Sequence, residues 1–197
     1  MAKRVFDWLA STLGLLVLTP LLLVLAVWIK LDSPGPVFFR QERVGQGGRI
    51  FRIHKFRTMV SDAERRGLQI TVGADLRVTR VGQWLRKYKL DELPQLLDVW
   101  LGHMSLVGPR PEVPRYVAFY PADLRDVVLS VRPGITDRAS IEFKDENEIL
   151  GRATDPHMAY VGEVLPIKLR YYVEYIQTRT LLGDIKLIFR TFKALLR

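Results

Sequence analysis

The chain has 197 residues, 48% of them hydrophobic and 26% charged, so it can bury a core, and disorder is excluded. It has no cysteine, which excludes disulfides, thiolate metal sites and thiol catalysis together. With 30 Lys and Arg against 21 Asp and Glu the net charge is +9, which favours anionic partners: nucleic acid, phospholipid head groups or phosphorylated substrates.

The first predicted element runs from Trp8 to Ile29, 22 residues without a charge. That is enough to cross a hydrocarbon core of about 30 Å as a helix. It is too long for a signal peptide, and Lys30, Leu31 and Asp32 follow it with no small-residue cleavage site. Lys3 and Arg4 flank one end, and Lys30, Arg40 and Arg43 the other, so the basic residues set no orientation. Pro20 removes a helix hydrogen bond near the middle and predicts a kink over 16–20. The Thr19 hydroxyl is placed to take a freed carbonyl. On the residues alone, a simple span and a kinked helix that enters and leaves by one face stand equal.

Strands are predicted at 37–39 and 50–53, around the turn Gly45-Gln46-Gly47-Gly48. No helix follows Gly45-x-Gly47, so this is a hairpin turn and not a phosphate loop. Short helices are predicted at 62–67, 81–88 and 94–100, the last with Leu93, Leu96, Leu97 and Trp100 as its apolar face. Pro109-Arg110-Pro111 and Arg132-Pro133-Gly134 are rigid loops, because each proline fixes its own φ and extends its predecessor. Residues 33–112 carry 14 bases and 8 acids whereas 137–163 carry 7 acids and 3 bases, so the positive charge gathers where the rigid loops are. The acidic stretch is free to form an interface between two copies. A helix is predicted at 167–177, following Pro166. Over 181–197, Lys186, Arg190, Lys193 and Arg197 share one face while Leu181, Leu182, Ile185, Ile188, Phe189, Phe192 and Leu196 share another. Such a helix suits a surface of anionic lipid, or packing on a core.

Asp91 and Glu92 stand just ahead of Pro94, where a helix start favours carboxylates without any catalytic purpose. Their company argues for more. Lys55, Arg57, Arg86, Arg110 and Arg132 all lie in short segments rich in Pro, Gly or aromatic residues. Two adjacent acids among several bases suit a divalent cation and a diphosphate. An ionised Asp can also attack phosphorus to give an acyl phosphate.

The runs DSPGPVFFRQERVGQGGRIFRIHKFRTM (32–59), LRKYKLDELPQLLDVWLGHMSLVGPRPE (85–112) and RPGIT (132–136) resemble the bacterial sugar transferase family, the monotopic phosphoglycosyl transferases. The resemblance is strong over 1–136 and weaker beyond, and the length corresponds to the family's minimal form. It implies transfer of a sugar 1-phosphate from a UDP-sugar to polyprenyl (undecaprenyl) phosphate, by a ping-pong reaction that needs Mg2+ and releases UMP. This is the first membrane step of glycoconjugate assembly. By motif match, Asp91 is the nucleophile and Glu92 its partner in metal or proton handling. Lys55, Arg57, Arg86, Arg110 and Arg132 bind phosphate, and Thr19-Pro20 breaks a re-entrant helix. The implied fold is α+β and mostly helical: a re-entrant membrane helix over 1–31, then a catalytic domain over 32–197 at the cytoplasmic face of the bacterial inner membrane, with a small β-hairpin and surface amphipathic helices.

The chain also departs from its relatives. Asp137 stands where many have Gly, an Asn-Gly-Arg piece is missing after it, and Tyr172 stands where they tend to carry an acid. Arg138 and Lys144 are the bases available in that stretch. An inactive membrane-surface scaffold of the same fold is the rival reading. Nucleic-acid binding is disfavoured by the uncharged run near the N-terminus.

Overall fold

The computed structural model describes residues 1–63, 75–142 and 146–195. Most of the helix expected at 62–67, and Lys144, lie outside the described residues. The chain is mostly helical, with three two-stranded sheets among the described residues.

Helix α1 (Ala2–Asp32) is the one described helix long and apolar enough to cross a membrane, about 46 Å at 1.5 Å per residue. Pro20 lies inside this single helical span, and Thr19 precedes it. The proline withdraws one donor, from the carbonyl of Leu16 on the exposed side, and the Thr19 hydroxyl donates to the Leu15 carbonyl at 2.6 Å. The usual order of burial is inverted along this helix. Asp7 and Ser11 are buried against protein, while Trp8, Leu13, Leu16, Val17, Val24 and Trp28 are exposed.

Strands β1 (Phe38–Phe39), β2 (Glu42–Val44), β3 (Ile50–Arg52) and β4 (Lys55–Phe56) pair as two antiparallel ladders, β1 with β4 and β2 with β3. The glycine turn therefore joins 42–44 to 50–52, and the strand predicted at 37–39 pairs one step further out, Phe39 opposite Lys55. Gly47 and Gly48 hold φ of 67° and 77°, which L side chains resist, so the turn rather than hydrophobic alternation sets the register.

Helix α2 (Arg80–Lys87) is capped by Thr79, whose hydroxyl accepts from the Gly82 amide at 3.0 Å. Helix α3 (Gln95–Leu101) follows Pro94 as expected, but its buried residues are Gln95, Asp98 and Val99. Asp98 is buried because its carboxylate accepts from the His54 amide and meets the His54 ring, each at 2.8 Å. Leu96, on the face expected to enter the core, lies against Gly14 of α1, and Trp100 is 43% exposed.

A parallel pair follows, β5 (Ser105–Val107) and β6 (Gly134–Thr136), joined through α4 (Pro114–Val117) and α5 (Ala122–Leu129). A Cβ on Gly134 would sit 2.1 Å from the Gly108 amide nitrogen, so the two backbones meet where no other residue fits. Helices α6 (Arg138–Glu142), α7 (Glu146–Arg152), α8 (Pro156–Ala159), α9 (Leu165–Thr178) and α10 (Leu181–Leu195) complete the chain, with a π turn at Tyr160–Val164. The largest core packs Tyr116, Val117, Tyr120 and Val128 against Leu165, Leu169 and Tyr172 of α9. Several acids of 137–163 have partners inside the chain: Asp137 with Ser140, Glu142 with Arg138, Glu146 with Lys168.

Both ends of α1 are seated on this one domain. Near its start, Arg4 donates to the last carbonyls of α3, Val99 at 2.6 Å and Trp100 at 3.0 Å. Asp7 accepts from the Leu106 amide of β5 at 3.2 Å, and Lys3 pairs with Asp184 of α10. Near its end, Leu25 and Ile29 pack on Phe56, Val81 and Leu85, and Asp32 accepts from the Val81 amide at 3.2 Å.

Candidate active site

The site begins at a strained residue. Lys89 has φ 53°, the one positive φ outside glycine among the described residues. It turns the chain out of α2 into a single 3-10 turn, Leu90–Glu92, which leads through Pro94 into α3. Asp91 and Glu92 are thus presented at a helix start, as the sequence implied, yet both are buried.

Their surroundings differ. Glu92 accepts from Lys55 at 3.0 Å through Oε1, and Arg110 donates to both of its oxygens. Burial pushes the Glu92 carboxyl up, but Arg110 and Lys55 outweigh it and hold the group well below the usual carboxylate range. The same pairing raises Arg110. Asp91 has one oxygen, Oδ2, 3.3 Å from Lys55, whereas Oδ1 is buried with no partner. A buried carboxylate oxygen left unpaired is costly.

Each base is delivered by a different element. Lys55 comes from β4, held in register by β1. Arg86 comes from the last turn of α2, its Nε donating to the Thr58 hydroxyl at 2.8 Å. Burial lowers the Arg86 guanidinium, and the nearby Asp91 and Asp75 carboxylates work against that. Arg110 comes from the proline loop after β5. That loop is stitched down by the Val44 amide donating to the Glu112 carbonyl at 2.9 Å and by the Gly134 amide donating to the Pro109 carbonyl at 2.9 Å. Glu112 is fixed in turn by the Tyr160 hydroxyl and by Arg43 at 3.7 Å.

Two other predicted bases donate to backbone carbonyls. Arg57 lines the same cavity, but its guanidinium donates to the carbonyls of Ser33 at 2.8 Å, Ile29 at 3.4 Å and Pro34, so it closes the C-terminal end of α1. Arg132 donates to the Gly102 carbonyl at 2.9 Å and is not among the residues lining the cavity. Arg138 faces outwards, held by Glu142 at 2.9 Å and Glu174 at 2.7 Å.

Some residues at the site carry no local sequence signal. Lys168 of α9 lines the cavity, buried and paired with Glu146. Asp137 is buried beside Arg110. Burial pushes its carboxyl up, against hydrogen bonds from Ser140. The Asp137 charge in turn helps burial raise the Tyr172 hydroxyl. The two departures from the relatives' pattern are therefore neighbours, and a carboxylate absent at 172 is present at 137.

The cavity has a volume of about 1500 Å3. Asp91, Glu92, Lys55, Arg86, Lys89 and Arg110 line its polar part. The rest of its wall comes from many elements, among them Phe6, Ala10 and Gly14 of α1, Leu96 of α3 and Ile188 of α10, and mixes apolar residues with polar ones such as Arg43, Glu112 and Lys168. Among the described residues no three His, Cys, Asp or Glu gather into a metal-binding group.

The model of the bacterial sugar transferase family matches residues 1–197. The chain is 40% identical, over 98% of its length, to the UDP-N-acetylgalactosamine-undecaprenyl-phosphate N-acetylgalactosaminephosphotransferase of Aeromonas hydrophila, of which it spans 43%. It is 39% identical, over 98% of its length, to the UDP-glucose:undecaprenyl-phosphate glucose-1-phosphate transferase of Caulobacter vibrioides, of which it spans 69%. It is 38% identical, over 96% of its length, to the enzyme of that same name from Escherichia coli, of which it spans 39%. On the whole-chain match and these identities, the chain belongs to the bacterial sugar transferase family.

Proposed function

We propose that this chain moves a sugar 1-phosphate from a UDP-sugar to undecaprenyl phosphate through a covalent intermediate on Asp91. The observation that carries the reading is the orphaned Oδ1 of Asp91, buried in the wall of a cavity whose polar part is ringed by Lys55, Arg86 and Arg110. An Asp91 oxygen bonds to the β-phosphorus, the bond from that phosphorus to the α–β bridging oxygen breaks, and UMP leaves with the electron pair. A phosphate oxygen of the lipid then attacks the same phosphorus. The Asp91 O–P bond breaks, the carboxylate returns, and the product is a lipid diphosphate sugar. Arg86, Arg110 and Lys55 take up charge on the phosphoryl oxygens.

Glu92 has a narrower part than motif matching implies. Both its oxygens are occupied by Arg110 and Lys55 and it stays ionised, so it orients those cations rather than carrying a proton. The residues present fit a magnesium ion, which binds through one or two carboxylates and completes its shell with phosphate oxygens and water. Asp91 would hold it, with Glu92 beside it, and the ion would supply further positive charge to the diphosphate.

The seating of α1 supports a monotopic arrangement. Residues 3–7 and 25–32 both make polar or core contacts with one domain, while Leu13, Leu16, Val17, Leu23 and Val24 between them are exposed. The domain then rests at the cytoplasmic face of the inner membrane, where a soluble nucleotide sugar and a lipid phosphate meet.

The test is UMP release by the chain in lipid discs, with magnesium and undecaprenyl phosphate, across a panel of UDP-sugars. The parent is expected to release UMP with at least one sugar, and Asp91→Asn to release none. Silence of the folded parent across the panel supports the inactive scaffold instead.

A further inference from the structure

Lys89 stands apart from the other cations of the cavity. Lys55 and Arg110 are tied to Glu92, Lys168 to Glu146, and Arg86 donates to Thr58. Lys89 also lines the cavity, yet among the described residues its ammonium makes no hydrogen bond or ion pair. Its backbone is as unusual as its charge. Lys89 follows the end of α2 with φ 53° and ψ 24°, the left-handed position that helix ends usually give to glycine or asparagine. A lysine there is strained, and the strain sits where the chain turns towards Asp91 and Glu92. Both carboxylates lie within electrostatic reach of the Lys89 ammonium, and the Lys89 carbonyl accepts from the Glu92 amide at 3.3 Å. The preceding lysine, Lys87, is exposed over the Trp84 and Tyr88 rings and is not among the residues lining the cavity.

We infer that Lys89 is the cation for the second phosphate at the site: the α-phosphate that departs in UMP, then the lipid phosphate that takes its place. This rests on the proposed reaction and assigns a residue to the group opposite Asp91. Displacement at phosphorus runs in line. UMP therefore leaves from the side of the phosphorus opposite the Asp91 oxygen, and the lipid phosphate attacks from that same side. One position thus holds a phosphate in both half-reactions. The α-phosphate gains a negative charge as the bridging bond breaks, and the lipid phosphate brings its own. Lys55 and Arg110 are committed at the carboxylates, Lys55 lying 3.3 Å from Asp91 and Arg110 donating to both oxygens of Glu92. The Lys89 ammonium has a flexible stem and no ion pair to break before it meets that charge.

The test compares Lys89→Gln, which removes the charge and keeps most of the length, with Lys87→Gln as the matched control. Equilibrium titrations in lipid discs with magnesium use UMP and farnesyl phosphate as probes, one for each source of the second phosphate. Lys89→Gln is expected to weaken the binding of both by about tenfold or more, and to slow the UMP burst seen without lipid by a similar factor, with Lys87→Gln staying near the parent. Lys89→Arg should recover most of the loss. Lys89→Asn separates function from folding, because asparagine accepts a left-handed backbone. Its Tm should equal or exceed the parent's while both phosphates bind as weakly as in Lys89→Gln. Parent-like binding of either phosphate or a parent-like burst in Lys89→Gln overturns the inference, as does an equal loss in Lys87→Gln. A Lys89→Asn protein that unfolds below the parent's Tm assigns Lys89 to the scaffold and overturns it too. Absence of UMP release by the parent overturns the reaction instead, and the two titrations, which need no turnover, then judge Lys89 alone.

Discussion

Asp91 and Glu92 are adjacent in the chain, and their surroundings give them different work. Glu92 is locked by two cations, and its acidity has a consequence for stability. Its folded value lies well below the ordinary 4.5, so the pair's contribution is complete above that pH and is lost as pH falls towards the folded value. Glu92→Gln should therefore be less stable than the parent at neutral pH, with the gap closing below about pH 4.5 in acid-denaturation curves. Arg110→Leu removes the main partner and leaves a buried carboxylate with Lys55 alone. A loss of about 3 kcal/mol by denaturant titration is expected, together with loss of UMP release. Adjacent acids before a proline, and basic motifs around them, were legible in the sequence. Which acid keeps a free oxygen was not, because that depends on Arg110 arriving from a loop 18 residues away.

Single elements show how close backbone approaches position the charges. Gly134 lets β6 meet the loop that carries Arg110, since any Cβ there lies 2.1 Å from the Gly108 nitrogen. Gly134→Ala should force those strands apart. It should cost about 1–3 kcal/mol in thermal or denaturant unfolding, and lower kcat more than the KM for the UDP-sugar. Gly82 has the same relation to Thr58, the partner of Arg86. The prolines and glycines were visible as rigid loops, and α2, α3, α9 and α10 were placed to within a residue or two of their observed spans. The parallel β5–β6 pair was missed, because three-residue strands carry too little periodicity to read. On α3 the expected apolar face was real, but its Leu96 meets α1, while Gln95 and Asp98 go inside.

At the scale of the whole molecule, α1 joins the domain at both ends, and topology can be tested there. The chain has no cysteine, so single-cysteine variants are clean reporters. Ala2→Cys and Ser33→Cys should react with a membrane-impermeant maleimide from the cytoplasmic side alone, in inverted vesicles and not in intact spheroplasts. Labelling of the two from opposite sides contradicts the monotopic arrangement. The apolar length of α1 was evident in sequence, yet span and re-entry could not be separated there. The contacts that support the monotopic proposal are Arg4 on α3, Asp7 on β5 and Lys3 on α10, all formed with residues more than 90 positions away.

The sequence by itself determined the family, the long apolar helix and the acid-base motif, because these rest on residue type and short spacing. Tertiary structure decided that both Glu92 oxygens are paired while Oδ1 of Asp91 is not, and that Arg57 and Arg132 donate to backbone carbonyls. Those outcomes depend on which distant groups share one buried volume. Desolvation and pairing at that volume act on charge regardless of chain position, so no local pattern encodes them.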